Sequence, residues 1–142
     1  MLPIKVKLDQ ENQKPKVGSA SAAGADLRIP SDLNLAPGQR VLIDSGLSMA
    51  IPEGYFGLVV PRSSTGIKGL VISNTVGIID SDYRGNIKLS MYNASGDWMF
   101  LDALERVAQI IIIPHLQINF EYVESLDETE RGTGGFGSTG TK

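Results

Sequence analysis

The chain of 142 residues has no cysteine, which removes disulfides, thiolate nucleophiles and cysteine-based zinc sites together. Histidine is almost as scarce: His115 is the only one, it follows Pro114, and no second imidazole exists to pair with it. It reads as a strand or turn residue rather than a ligand. No apolar stretch approaches the roughly 18 residues that a membrane span requires. The N-terminal run Met1-Leu2-Pro3-Ile4-Lys5-Val6-Lys7 alternates, where a signal peptide would carry a continuous apolar block. A cytoplasmic location, or host cytoplasm for a viral protein, and no membrane partner are therefore expected. Clustered Lys and Arg are also missing. With a formal net charge of -3 and a pI near 5.1, the chain is poorly equipped to neutralise a nucleic-acid backbone, and no nucleic-acid partner is expected. Any metal would have to be a hard cation held by oxygens, most simply magnesium arriving with a phosphate substrate.

What is present suits one globular domain with a substantial core, since 42% of the residues are hydrophobic and 20% charged. Ile4, Val6 and Leu8 alternate with polar residues, as do Ile87, Leu89 and Met91, and again Leu116, Ile118, Phe120 and Tyr122. Each pattern predicts a half-buried strand. Turn signals separate them at short intervals: Pro37-Gly38, Pro52-Glu53-Gly54, Arg84-Gly85-Asn86, Ser95-Gly96-Asp97 and Pro114. Many short strands with regular turns predict an all-β sandwich or barrel. Phe100, Leu104, Val107, Ala108 and Ile111 could also mark a helix face. The run Ile110-Ile111-Ile112-Ile113 favours a buried strand, so a turn near Asp102 to Glu105 and a strand from about Arg106 are expected, with a short helical turn around Ser63 to Lys68. From Glu124 the chain becomes acidic and then glycine-rich, which predicts a domain over residues 1–123 and a mobile arm over 124–142.

Three segments could carry chemistry. Gly77-Ile78-Ile79-Asp80-Ser81-Asp82-Tyr83-Arg84-Gly85 crowds two carboxylates and a phenol into four residues where an apolar run ends. Such crowding is costly unless an acid is used, although a solvated Asp-rich turn would look the same. Pro61-Arg62-Ser63-Ser64 ends the run Leu58-Val59-Val60 and offers an arginine, hydroxyls and amides to an anion, or else forms an ordinary capped turn. In the tail, Arg131 and Phe136 lie five residues apart among glycines. That spacing suits a lid that grips phosphate and stacks on a base; the alternative is an inert terminus.

Taken in chain order, Ala23-Gly24-Ala25-Asp26-Leu27, Pro61-Arg62-Ser63-Ser64, Asn74 to Gly85, Arg106-Val107-Ala108-Gln109 and Arg131 to Gly140 resemble the five motifs of the trimeric deoxyuridine triphosphatase (dUTPase) family. The resemblance spans nearly the whole chain. It implies a jelly-roll-like β domain forming a homotrimer that hydrolyses dUTP to dUMP and pyrophosphate with magnesium, keeping uracil out of DNA and supplying dUMP for dTMP synthesis. In the family, the aspartate matching Asp80 activates the water that attacks the α-phosphorus. Tyr83 would lie under the deoxyribose and leave no room for a 2'-hydroxyl. Asn74, with Gly77 and the backbone of Ile78 and Ile79, would read the uracil edge. Arg62, Ser63, Ser64 and Gln109 match phosphate contacts, with Lys88 at a minor one. Arg131 and Phe136, Gly137 and Ser138 would close over the nucleotide from another subunit. Asp26 matches the motif-one acid, structural or acting through a magnesium-bound water; no direct protein ligand to the metal is implied. Two positions depart from the family pattern: Ser64 and Leu104 stand where glycines are usual.

Two other readings compete. A dCTP deaminase shares the fold and would release ammonia. A regulator that binds a protein partner under nucleotide control would need no intact chemical groups.

Overall fold

The computed structural model describes residues 1–135 and 138. Among the described residues twelve strands follow one another: β1 (Lys5–Leu8), β2 (Lys16–Val17), β3 (Gly24–Arg28), β4 (Leu33–Leu35), β5 (Arg40–Asp44), β6 (Leu47–Ala50), β7 (Tyr55–Pro61), β8 (Leu70–Ile72), β9 (Gly77–Ile79), β10 (Lys88–Asn93), β11 (Met99–Leu101) and β12 (Arg106–Pro114). Among the described residues the only α-helix is the single turn α1 (Ser63–Gly66), between β7 and β8. All strand pairs are antiparallel. The largest sheet runs β2-β3-β12-β7-β9, and a second runs β5-β10-β8. The all-β architecture is thus the one the alternating patterns predicted.

The sheets enclose one core. Leu27, Ile29, Leu35, Leu47, Leu70, Ile87, Leu89, Met91 and Val107 are fully buried. Leu89 and Met91 point inward from β10 while its alternate residues do not, the two-residue period of a pleated strand with one apolar face. Asn93 is the polar exception. Its amide donates to the carbonyls of Leu35 and Asp97, and its oxygen accepts from Ser95, so burial leaves none of these groups unpaired.

The isoleucine run is a strand, as expected, and it is central: β12 lies between β3 and β7. Ile110 is buried and Ile111, Ile112 and Ile113 are half-buried, so both faces of the strand are at least partly covered, the condition under which a strand reads as a continuous apolar run. The turn before it forms where the sequence placed it, with Glu105 N donating to Asp102 O at 3.1 Å. Leu104 adopts φ +67° there, a left-handed conformation that costs an L-residue with a branched side chain roughly 1–2 kcal/mol. This explains why the position suits glycine. Leu104→Gly is accordingly expected to change stability by less than about 1 kcal/mol, against the ~2–5 kcal/mol typical of emptying a core leucine site. Urea unfolding at matched protein concentration measures it, and a loss above about 2 kcal/mol would contradict the strain argument.

One expectation is corrected. Leu116, Ile118, Phe120 and Tyr122 form no strand, because β12 ends at Pro114 and no sheet edge of the same protomer receives the segment. Their side chains are 72 to 94% exposed. The period-2 pattern is present, but the partner surface that would bury it does not come from this chain's own sheets.

Candidate active site

Two groups of the singled-out residues assemble, at opposite ends of β7. The first lies where β3, β12 and β7 meet. Asp26 occupies the middle of β3 and meets two arginines: its Oδ1 is 2.9 Å from Arg62 Nε and its Oδ2 is 2.9 Å from Arg106 Nη1. Arg62 Nη1 also donates to the Arg106 carbonyl at 3.1 Å. The Asp26 side chain is only 13% exposed, whereas the two arginines are 25% and 35% exposed. Two guanidinium groups against one carboxylate leave excess positive charge at a partly open surface, which favours a polyanion.

A β-bulge builds this corner. The β3–β12 register shifts between Arg106 and Ala108, while β12 pairs with β7 only from Ala108 onward. The carbonyls of Arg106 and Val107 are thereby turned out of the ladder, and they accept from Arg62 Nη1 and from Thr65 Oγ1. Bulges commonly re-aim groups in this way. Thr65 is buried in α1 and also bonds the Arg62 carbonyl, so the turn carrying Ser63 and Ser64, both exposed, is fastened to β12. Gln109, one residue beyond Ala108, donates Nε2 to the Pro61 carbonyl at 3.3 Å. Its Oε1 packs so closely on Gly24 that a Cβ there would lie 2.7 Å away. A side chain at residue 24 would push the Gln109 amide out of this position.

The second group lies on β9 and the loop after it. Ile79 pairs with Gly57, so Asp80 emerges level with Phe56, near the start of β7. Arg62 follows its other end. At about 3.3 Å per residue, the six steps from the level of Phe56 to Arg62 amount to roughly 20 Å. Asp80 is exposed and lines an open cleft with Glu53, Phe56, Asp82, Arg84 and His115. Arg84 braces the loop by donating Nη1 to the carbonyls of Ser81 and Tyr83. The Tyr83 hydroxyl donates to the Asn86 carbonyl, and its ring covers Gly85, where a Cβ would sit 2.5 Å from the phenol oxygen. Asn86 is anchored in turn to Asp9 Oδ2.

Because β9 is the outer strand of its sheet, alternate amide and carbonyl groups of Gly77, Ile78 and Ile79 face away from β7. Asn74 is exposed in the turn leading into β9, beside Thr75 at φ +68°. A β-branched residue in that region marks stored strain of the kind found at binding sites. Lys88 is exposed on β10 opposite Asp44.

The described part of the tail joins neither group. Arg131 is exposed, and the hydrogen bonds of Thr129 to Ser138 are local turns among the described residues. Phe136 and Gly137 lie outside the described residues. No cluster of three His, Asp or Glu side chains able to hold a metal occurs among the described residues. His115 packs edge-on to Phe56 and its amide donates to the Gly54 carbonyl.

Sequence reasoning missed Arg106 as the second partner of Asp26. An acid in the middle of a strand between Ala25 and Leu27 needs a cation, and an arginine opening the longest apolar strand was a signal for it.

A family model described as dUTPase matches residues 10–140. A deoxyuridine 5'-triphosphate nucleotidohydrolase of Escherichia phage T5 is 49% identical, covering 98% of this chain and 99% of the relative. One from Cutibacterium acnes is 45% identical, over 89% of this chain and 84% of the relative. Among solved structures, the Staphylococcus bacteriophage 80alpha dUTPase G164S mutant with dUpNHpp superposes with a TM-score of 0.90 at 27% identity, covering 99% of this chain and 100% of that one.

Proposed function

The chain belongs to the dUTPase family, and from that membership we infer that it hydrolyses dUTP to dUMP and pyrophosphate in a site completed only when protomers assemble. It is a hydrolase of nucleotide metabolism. The observation that carries the shared site is the separation of Asp80 from the Arg62 corner by the length of β7. An α-phosphate and its β and γ neighbours span far less than roughly 20 Å. One protomer therefore cannot offer both groups to one triphosphate, whereas Asp80 of one copy set against the Arg62 corner of the next can. The exposed alternation Leu116-Ile118-Phe120-Tyr122 supports assembly as well, since such a stripe on an extended segment calls for a partner surface. A homotrimer, the arrangement that the five motifs imply, meets both needs.

In that site Asp80 would hold and deprotonate the water attacking the α-phosphorus. No covalent intermediate is required. Arg62 and the Ser63–Ser64 amides would bind the phosphates, with Gln109 and Lys88 beside them. The outward edge of β9, with Asn74 and Gly77, would pair with uracil and reject cytosine, whose C4 substituent is a donor where this edge expects an acceptor. Tyr83, held over Gly85, would exclude a 2'-hydroxyl. The arm over 124–142, with Arg131 and Phe136 to Ser138, would close from a further protomer and exclude bulk water.

The dUTPase family generally uses magnesium. The donor set fits an ion carried by the triphosphate and its waters: each Asp26 oxygen accepts from one arginine and keeps acceptor capacity for a metal-bound water. Bound there, it would offset phosphate charge. No helix among the described residues is long and apolar enough to cross a membrane, and a cytoplasmic location is proposed. The comparisons favour neither a dCTP deaminase nor a purely regulatory protein.

A substrate panel tests the reading. Pyrophosphate release is expected from dUTP, with little from UTP, dCTP or dTTP, and a fall when magnesium is chelated. Ammonia released from dCTP would overturn it.

A further inference from the structure

Resting on the reading just given, we propose that Arg106 is a positioning residue for the reaction: through Asp26 and through its own carbonyl it sets the Arg62 guanidinium in the orientation that receives the triphosphate. Arg62 is held at two points. Its Nε meets Asp26 Oδ1 at 2.9 Å and its Nη1 meets the Arg106 carbonyl at 3.1 Å. This leaves its Nη2 group without a partner among the described residues. Asp26 could not hold that pose alone. A carboxylate rotating about its Cβ–Cγ bond loses direction unless its other oxygen is fixed, and Arg106 Nη1 fixes Oδ2 at 2.9 Å.

Burial makes the arrangement consequential. The Asp26 side chain is nearly enclosed, so its charge needs both cations, and losing one leaves a poorly solvated carboxylate that competes for the other. In the absence of Arg106, Asp26 would draw Arg62 inward, away from a ligand. The pair also sets the charge of the corner: two arginines against one acid leave one positive charge to meet the phosphates. Asp26 is thereby assigned the orientation of arginines.

Arg106 uses a single nitrogen on Asp26, and its carbonyl contact with Arg62 does not depend on its side chain. Arg106→Lys should therefore preserve most of the effect, while Arg106→Gln should not. Steady-state kinetics with dUTP, together with calorimetric titration of deoxyuridine, separate this role from general structural support. For Arg106→Gln the KM for dUTP is expected to rise about ten- to a hundredfold, as for loss of a hydrogen bond between charged groups. Affinity for deoxyuridine, which has no phosphate, should stay within about twofold, since the β9 edge is untouched. Asp26→Asn should behave the same way, and Arg106→Lys should return the KM to within about threefold of the parent.

The cycle with Arg62 gives a further readout. In an Arg62→Gln background, Arg106→Gln should add less than about twofold, because the group it positions is gone. Multiplying effects, or parallel losses of dUTP and deoxyuridine affinity, would overturn the proposal. If Arg106→Gln does not fold, Asp26→Asn and Arg106→Lys decide the question. A parent enzyme that released no pyrophosphate from dUTP would sink the functional reading instead, so the two failures are distinguishable.

Discussion

Replacing Asp80 with asparagine is expected to lower turnover of dUTP by a factor on the order of a thousand while leaving nucleotide affinity within about tenfold. The size follows from the role proposed. A positioned general base contributes roughly a hundred- to ten-thousandfold, and an amide cannot take a proton from water at neutral pH. Binding should survive because Asp80 lies at the exit of β9, apart from the arginine corner proposed to hold the phosphates. The local fold should survive too. The Asp80 backbone carbonyl, which accepts from the Tyr83 amide at 3.2 Å, is present in the variant, and the Arg84 braces to Ser81 and Tyr83 do not involve the carboxylate. Single-turnover pyrophosphate release, with affinity measured using a non-hydrolysable dUTP analogue, separates chemistry from binding. Near-normal turnover would refute the assignment of Asp80.

Removing everything after Glu130 should leave the assembly intact and reduce hydrolysis by on the order of a hundredfold or more, the usual scale for losing a preorganised charge partner in a closed site. The described part of that segment makes only local turns, and Arg131 is exposed, so removing the described residues exposes no core. Leu116, Ile118, Phe120 and Tyr122, the residues proposed to bury themselves against a neighbour, remain in the shortened chain. Light scattering should report an unchanged oligomer, and the loss should fall mainly on kcat, since closure acts on the chemical step. Retained activity would end the lid argument. Dissociation would instead show that the last twelve positions help hold the assembly together.

Much of the architecture was legible because strand patterns are local. Leu89 and Met91 alternate with polar neighbours and point to the core, and the run of isoleucines after Arg106 became the central strand β12. Even the departure at Leu104 was visible, and the backbone explains it through a positive φ. The stripe Leu116 to Tyr122 misled for an instructive reason. Periodicity states that one face of a strand wants burial but not which chain will bury it.

The candidate site was legible as types of residue and not as an arrangement. Arg62, Ser63, Ser64 and Gln109 stood out as possible phosphate contacts, yet their internal partners could not be read in advance. Gln109 braces Pro61 and packs on Gly24, and Arg62 is tied to Asp26 and the Arg106 carbonyl. These contacts join residues far apart in sequence through a bulge whose position depends on how β3, β12 and β7 pair.

By itself, then, the sequence determined the elements, the chemical groups and the family, because local periodicity, turn residues and motif spacing are properties of short stretches of chain. Only the tertiary structure decided that Asp26 is shared by two arginines and that Asp80 stands a strand's length from them. Strand register sets those distances, and register is chosen by the whole packed core.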